Sequence, residues 1–296
     1  GGVVPEIASR AHIQILQRII PETFKKAGVS NSSIKIYCST CGPGLIGGLL
    51  VGTIVAKSMA IANNKPFYPI NHLEGHALSV QINNNVKFPF VLLLITGGHT
   101  QMYIVKEIGS YNLLGTTIDD SVGECFDKVA KMLGMPYPGG KHIELKALNG
   151  IKNKYNFPRP LIKNKNLNFS FSGLKTAMKI EINKHNSLNQ KQIENFSASF
   201  QQSIIDILEK KSELAIEYAK NKIPEINSFV VAGGVAANKS IKNSLTLLCK
   251  KHKFKIYYPP LSLCGDNAAM IAWACLKRYK LGYKEDIHFK PRPRWS

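Results

Sequence analysis

Phe90-Val91-Leu92-Leu93-Leu94-Ile95-Thr96-Gly97-Gly98-His99-Thr100 decides the fold. Six apolar residues in a row leave a strand no polar face. Such a strand must be covered on both sides, as in the sheet of an α/β protein. The glycine pair ends the strand in a turn. Met102–Val105 then follows at hairpin distance, and Leu113–Thr117 reads as a third strand. The pattern returns near the C-terminus, where Phe229-Val230-Val231-Ala232 runs into Gly233-Gly234-Val235-Ala236-Ala237-Asn238. No short-period repeat is present, but this coarse echo is what a two-lobed nucleotide cleft needs. Glycines after a strand let backbone N–H groups approach a phosphate. For Gly97-Gly98 a plain hairpin turn is the better explanation, and spacing leaves the second pair even, so neither pair decides the function alone.

Outward from that strand, residues 6–27 read as a helix that Pro21 bends or divides. A short strand is expected at 34–40, a turn at Gly42-Pro43-Gly44, a helix at 45–62 and a strand at 67–70. Further helices are expected from Asp119-Asp120-Ser121 to Leu133, over 189–220, over 238–251 and over 266–281, with a strand at 256–258. Residues 150–169 are rich in Lys and Asn and read as an exposed loop. The basic tail 290–296 reads as extended.

The 296 residues are 44% hydrophobic, enough for one large or two modest domains. The longest apolar run, Leu45 to Ala56, is interrupted by glycines and too short to span a bilayer. A formal net charge of +20 favours a polyanionic partner. Lys and Asn are abundant while Arg is scarce, so AT-rich coding accounts for part of the excess. Six cysteines and no signal-peptide pattern point to reduced thiols. Cys38-Ser39-Thr40-Cys41 is formally CxxC, but no second pair completes a zinc ribbon.

Asn71-His72-Leu73-Glu74-Gly75-His76 carries the sharpest chemical signal. On a helix, residues i and i+4 share a face, so one cation could bind both imidazoles. A third ligand must come from elsewhere, and Asp266 in Leu263-Cys264-Gly265-Asp266-Asn267 is a candidate. Capping or core histidines are the bland alternative. The metallopeptidase signature places its base directly after the first histidine. Here that position is Leu73, and Glu74 turns about 200° away on a helix. Asp127, inside the helix after Ser121, suits a ribose hydroxyl or a surface pair with Lys131. Tyr137-Pro138-Gly139-Gly140 is a turn that could wrap a ribose, or a helix stop. Asn238 could contact a nucleotide or cap the next helix.

Taken in order, these motifs resemble the tRNA N6-adenosine threonylcarbamoyltransferase family, its bacterial and mitochondrial type most of all. Gly2-Val3-Val4-Pro5-Glu6-Ile7-Ala8-Ser9-Arg10, Gly42-Pro43-Gly44-Leu45, His72–His76 and Gly97-Gly98-His99-Thr100-Gln101 look like its motifs. So do Phe169-Ser170-Phe171-Ser172-Gly173-Leu174-Lys175-Thr176, Ala232–Asn238, Asp266–Ala272 and Arg292-Pro293-Arg294-Trp295. The resemblance implies an α/β, two-lobed actin/Hsp70/sugar-kinase fold. Residues 1–88 with 267–296 would form the first lobe, lacking its opening strands in this chain, and 89–266 the second. The nucleotide and metal would lie in the cleft between them.

The resemblance also implies a reaction. The threonylcarbamoyl group of threonylcarbamoyl-AMP passes to the N6 amine of the adenosine 3′ of the anticodon, in tRNAs that read A-starting codons, and AMP leaves. His72, His76 and Asp266 would hold one divalent metal, Fe(2+) or else Zn(2+). Leu94, Ile95, Thr96, Gly97 and Gly98 would hold the adenylate, with Asp127, Gly140 and Asn238 as further contacts. No general base is identified. The implied partners are tRNA and either a degenerate actin-like subunit with a small ATPase, in a bacterial setting, or a second copy, in a mitochondrial one. No membrane is implied. The expected location is cytoplasmic, or the mitochondrial matrix if a transit peptide preceded Gly1. A metallopeptidase, a non-catalytic nucleotide-binding subunit and, more weakly, a small-molecule kinase are the rival readings.

Overall fold

The computed structural model describes residues 5–295. Gly2, Val3 and Val4 of the first motif lie outside the described residues. In chain order the elements are α1 (Pro5–Ala27), β1 (Tyr37–Gly42), α2 (Ile46–Ala62), β2 (Phe67–Asn71), α3 (His72–Ser79), β3 (Phe90–Ile95), β4 (Thr100–Glu107), β5 (Ser110–Thr116), α4 (Val122–Met132), α5 (Gly140–Ala147), α6 (Ser172–Ile182), α7 (Gln190–Lys222), β6 (Ser228–Ala232), α8 (Lys239–Lys251), β7 (Lys255–Tyr257), α9 (Leu261–Cys264) and α10 (Ala268–Lys280). Two compact units result. One is described over residues 5–79 and 267–295, and the other is Val80–Asp266.

In the first unit β1 and β2 pair in parallel, with Tyr37 opposite Phe67. α1 runs unbroken through Pro21, so the expected division does not occur. Proline removes one i→i−4 bond, and here the freed carbonyl belongs to exposed Gln17, where water can satisfy it. The short helix α3 is pinned to α10 by a buried ion pair. Arg278 donates from Nε and an Nη to the two oxygens of Glu74, at 2.6 and 2.8 Å. The Glu74 side chain is only 3% exposed. Cys38 lies beside Cys275 of α10, and all six cysteines are free thiols.

In the second unit a five-stranded mixed sheet has the order β5-β4-β3-β6-β7. β3 is antiparallel to β4 and parallel to β6, and β6 is parallel to β7. Every residue of β3 is buried, as its apolar run requires. Val91, Leu93 and Ile95 share a core with Phe126 and Val129 of α4 and with Phe196 and Phe200 of α7. α7 starts with a capping box: Asn189 accepts from the Gln192 N–H, and the Gln192 side chain accepts from the Asn189 N–H.

Two sequence expectations need correction here. α6 was not foreseen. The 150–169 segment is exposed only in part: Phe157, Leu167 and Phe169 are buried, and Phe169 bridges Thr117. Asp119 holds that segment's end. It accepts from Ser170 Oγ at 2.5 Å, from the Phe171 N–H at 2.8 Å and from Ser172 Oγ at 2.8 Å. Burial alone would raise the Asp119 pKa, but these hydrogen bonds outweigh it and hold the carboxyl below its ordinary range.

Two outcomes follow from these anchors. Glu74→Gln removes the buried carboxylate charge that faces Arg278 and should cost about 3 kcal/mol in chemical denaturation. Asp119 contributes stability in full above the ordinary carboxyl value near 3.8, and that contribution drains away as pH falls through its lower folded value. Wild type should therefore lose more melting temperature between pH 5 and 3 than Asp119→Asn does.

Candidate active site

Sheet order places the two glycine turns side by side. β3 and β6 are adjacent parallel strands, with Leu94 opposite Ala232, so both turns leave the same sheet end. In open α/β sheets this C-terminal end of parallel strands is where ligands bind. The turns touch directly. Gly233 has φ of +98°, and a Cβ there would collide with the Ile95 carbonyl and the Thr96 side chain. Only glycine meets both demands.

The first turn is tightly organised. Leu94 and Ile95 are buried in β3, while Gly97 and Gly98 are exposed. Thr96 Oγ1 accepts from the Gly98 N–H at 3.1 Å and the His99 N–H at 2.9 Å. The Gly98 N–H, expected to face a phosphate, is therefore used inside the turn. The hairpin reading describes this segment.

From that turn a chain of contacts closes on itself. The Ser121 hydroxyl donates to the Gly97 carbonyl at 2.6 Å and caps α4 by accepting from the Glu124 N–H. Asp119, two residues earlier, holds residues 170–172. Gly123 in the first turn of α4 lies so close to Thr96 and Gly97 that a Cβ would meet their backbone. Asp127, one turn further along α4, accepts from the Gly139 N–H at 2.7 Å. This bond fixes the Pro-Gly-Gly turn, and Gly140 opens α5 rather than stopping a helix. Glu144 of α5 accepts from the Lys239 N–H at 2.6 Å. Asn238 caps α8 by accepting from the Ile241 N–H at 3.0 Å, and its amide donates to Gln201 Oε1 at 2.8 Å. Gly233 then returns the path to Ile95.

The segments that carry the eight adenylate candidates thus form one contiguous rim of the second unit, with Leu94 and Ile95 buried behind it. Gln201 and Glu144, which the sequence reading missed, hold two of its segments. No local pattern marks either residue, since each partner is remote in sequence. The Cys125 thiol on α4 is pushed up to about 12 by burial, so it is no nucleophile.

Electrostatics stiffen the same rim. Burial opposes ionisation of Asp120, but hydrogen bonds from Lys128 and Lys175 hold its carboxyl below the ordinary value. Lys128 Nζ is 2.8 Å from Asp120, and Lys175 Nζ is 2.9 Å from it. α4 and α6 are thereby joined across one carboxylate.

The histidine pair lies on α3. The two rings stand edge to face, with centroids 4.8 Å apart. His76 is buried and His72 half-buried. Asp266 immediately precedes Asn267, which caps α10 by accepting from the Met270 N–H. Ligand atoms of His72, His76 and Asp266 all lie within 4.8 Å of one another. Two neutral imidazoles and one carboxylate are a donor set suited to iron or zinc, with open positions left over. Asn71 caps α3 through its side-chain oxygen and is not part of the set. Glu74, bound to Arg278, is committed elsewhere.

Among the described residues no helix is long and apolar enough to cross a membrane. The solved structure of full-length HypF in its phosphate- and nucleotide-bound form superposes with a TM-score of 0.63 at 12% identity, over 89% of this chain and 41% of that one. The HypF of T. kodakarensis gives 0.59 at 12% identity, over 86% and 42%. At such identities the likeness shows the fold alone, an α/β fold of the actin/Hsp70/sugar-kinase type. A family model described as tRNA N6-adenosine threonylcarbamoyltransferase matches residues 1–273. The curated protein of that name from Bartonella bacilliformis is 49% identical over all of this chain and 83% of its own length. The one from Brucella suis is 48% identical with the same coverage. Matched over residues 1–273 by the family model and over its whole length by these relatives, the chain belongs to the tRNA N6-adenosine threonylcarbamoyltransferase family.

Proposed function

We propose that this protein transfers the threonylcarbamoyl group of threonylcarbamoyl-AMP to the N6 amine of the adenosine 3′ of the anticodon, in tRNAs that read A-starting codons. The match of the whole chain to enzymes of that name carries the reading. The gathering of His72, His76 and Asp266 supports it.

The donor is a mixed carbamic–phosphoric anhydride, so its leaving group is already good. N6 bonds to the carbamoyl carbon, the bond from that carbon to the phosphate oxygen breaks, and AMP departs with the electron pair. One proton leaves N6. Catalysis then rests on holding two reactants in line and stabilising developing charge. Leu94–Gly98 would cradle the adenylate, with the Gly97 backbone at the exposed tip. Asp127 and Asn238 would face the ribose and base, and Gly140 would let the ligand approach the backbone closely. An iron(II) or zinc ion held by His72, His76 and Asp266 would supply Lewis-acid positions for the threonyl carboxylate and hydroxyl.

The metallopeptidase alternative lacks a base, because Glu74 is paired with Arg278. A protein partner is expected, either a degenerate actin-like subunit with a small ATPase or a second copy of this chain. Exposed Ile7, Ile13 and Ile19 on α1, with Leu50 and Ile54 on α2, support a protein-covered helical face. Catalysis in the cytoplasm, where tRNA is abundant, accords with this reading.

Incubation with threonylcarbamoyl-AMP and unmodified tRNA should yield N6-threonylcarbamoyladenosine and AMP in equal amounts by nucleoside analysis. The His72→Ala/Asp266→Ala double variant should lose bound metal and at least about tenfold of the product. Full modification by that variant would refute the metal assignment. Gel-filtration mass, with and without the two candidate subunits, should separate heteromeric from homodimeric assembly.

A further inference from the structure

The 150–169 segment has a construction that the reaction does not use. From Leu145 to Ile180 the chain contains eight Lys or Arg and no Asp or Glu. The segment does not wander. Lys191 at the start of α7 donates to the Asn149 carbonyl. The Ile151 N–H donates to Asn195 Oδ1, and the Tyr155 N–H to Ser199 Oγ. Arg159 pairs with Asp206 at 2.8 Å. Lys211 donates to the carbonyls of Asn164 and Asn166 at 3.0 and 2.7 Å. The anchors advance in step, from 149 to 166 on the strap and from 191 to 211 on the helix. At 1.5 Å per residue the strap therefore follows α7 for about 30 Å.

Lys211 makes the point most clearly. Its residue is fully buried, and burial lowers its pKa. A buried ammonium is costly, yet this one serves only to hold two loop carbonyls. The Tyr155 ring stacks on Phe196 at 4.1 Å, and Phe157 and Leu167 also turn inward. What remains outside is Lys152, Lys154, Lys163 and Lys165, all exposed. Asp206 of α7, which meets the strap, is neutralised by Arg159. Coding bias would scatter lysines. It does not explain a line of them on a backbone fixed at five places.

We propose that this strap is a docking ridge for the phosphodiester backbone of structured RNA. Its length is on the order of one turn of a nucleic-acid duplex. Lysine ammonium groups at fixed spacing neutralise phosphates without reading bases, and exposed Asn153 and Asn156 can reach sugar hydroxyls. The inference rests on tRNA being the acceptor, and assigns the strap to hold the tRNA body rather than the reacting adenosine.

The test is equilibrium binding of unmodified tRNA at 50 and 200 mM salt, with wild-type modification assayed in parallel. Lys152→Glu, Lys154→Glu, Lys163→Glu and Lys165→Glu combined should raise Kd at least about 100-fold at the lower salt. The slope of log affinity against log salt should shrink by about three to four. The same four positions changed to Gln should fall between, and thermal unfolding checks that both variants are folded. A charge-matched control, with Glu at Lys87, Lys106, Lys222 and Lys250, should weaken binding by less than about fivefold. If wild type modifies tRNA while the strap variants bind it normally, or no worse than the control, the strap assignment is wrong and the enzymatic reading stands. If wild type neither binds nor modifies tRNA, the enzymatic reading falls and takes the strap with it.

Discussion

The buried Arg278–Glu74 pair is the constraint on which the candidate histidine ligands, His72 and His76, depend. α3 is only eight residues long and too short to hold its conformation alone. It takes its orientation from α10, through two hydrogen bonds to a carboxylate that is nearly sealed from water. α10 in turn begins two residues after Asp266, so the helix that orients the histidines also fixes where the aspartate enters. A bidentate guanidinium suits this role because its planar fork sets an angle as well as a distance. The same pairing removes Glu74 from acid–base work, which separates this site from the zinc peptidases that its HxxxH spacing superficially suggests.

In the second unit the comparable constraint is backbone proximity. Gly233 against Ile95 and Gly123 against Thr96 bring three segments closer than side chains allow. Around them Ser121, Asp127 and Glu144 each bind a backbone group of another segment, and Asn238 caps α8 while its amide binds Gln201 of α7. These bonds hold the rim together. The rim is therefore preformed, which suits a reaction whose difficulty lies in alignment rather than in bond activation.

Much of this was legible beforehand. The apolar run at 90–95 identified a doubly covered strand, because no other environment accommodates six such side chains. The spacing of His72 and His76 identified a shared helical face. Asn189 and Asn238 announced helix starts. Other features were not legible. α6 starts at Ser172 without a side-chain cap of its own, and its start is held instead by Asp119, fifty-three residues earlier. Leu45–Ala56 reads as a uniformly apolar stretch, and only packing shows which side of α2 is covered. The 150–169 segment was read as loop from its composition. Its anchors on α7 are single hydrogen bonds between residues more than forty apart, and no local pattern encodes them.

Local order and the class of chemistry were thus determined by the sequence alone, since strand burial, helical spacing and capping depend on neighbours within a few residues. The tertiary structure decided which groups are already spent. In sequence the Gly98 N–H is open to a ligand, Glu74 merely points away from His72, and nothing marks Asp119 or Lys211 as anchors. Each is bound to a partner that only folding brings near, and a hydrogen-bonding group engaged with the protein is no longer fully available to a ligand.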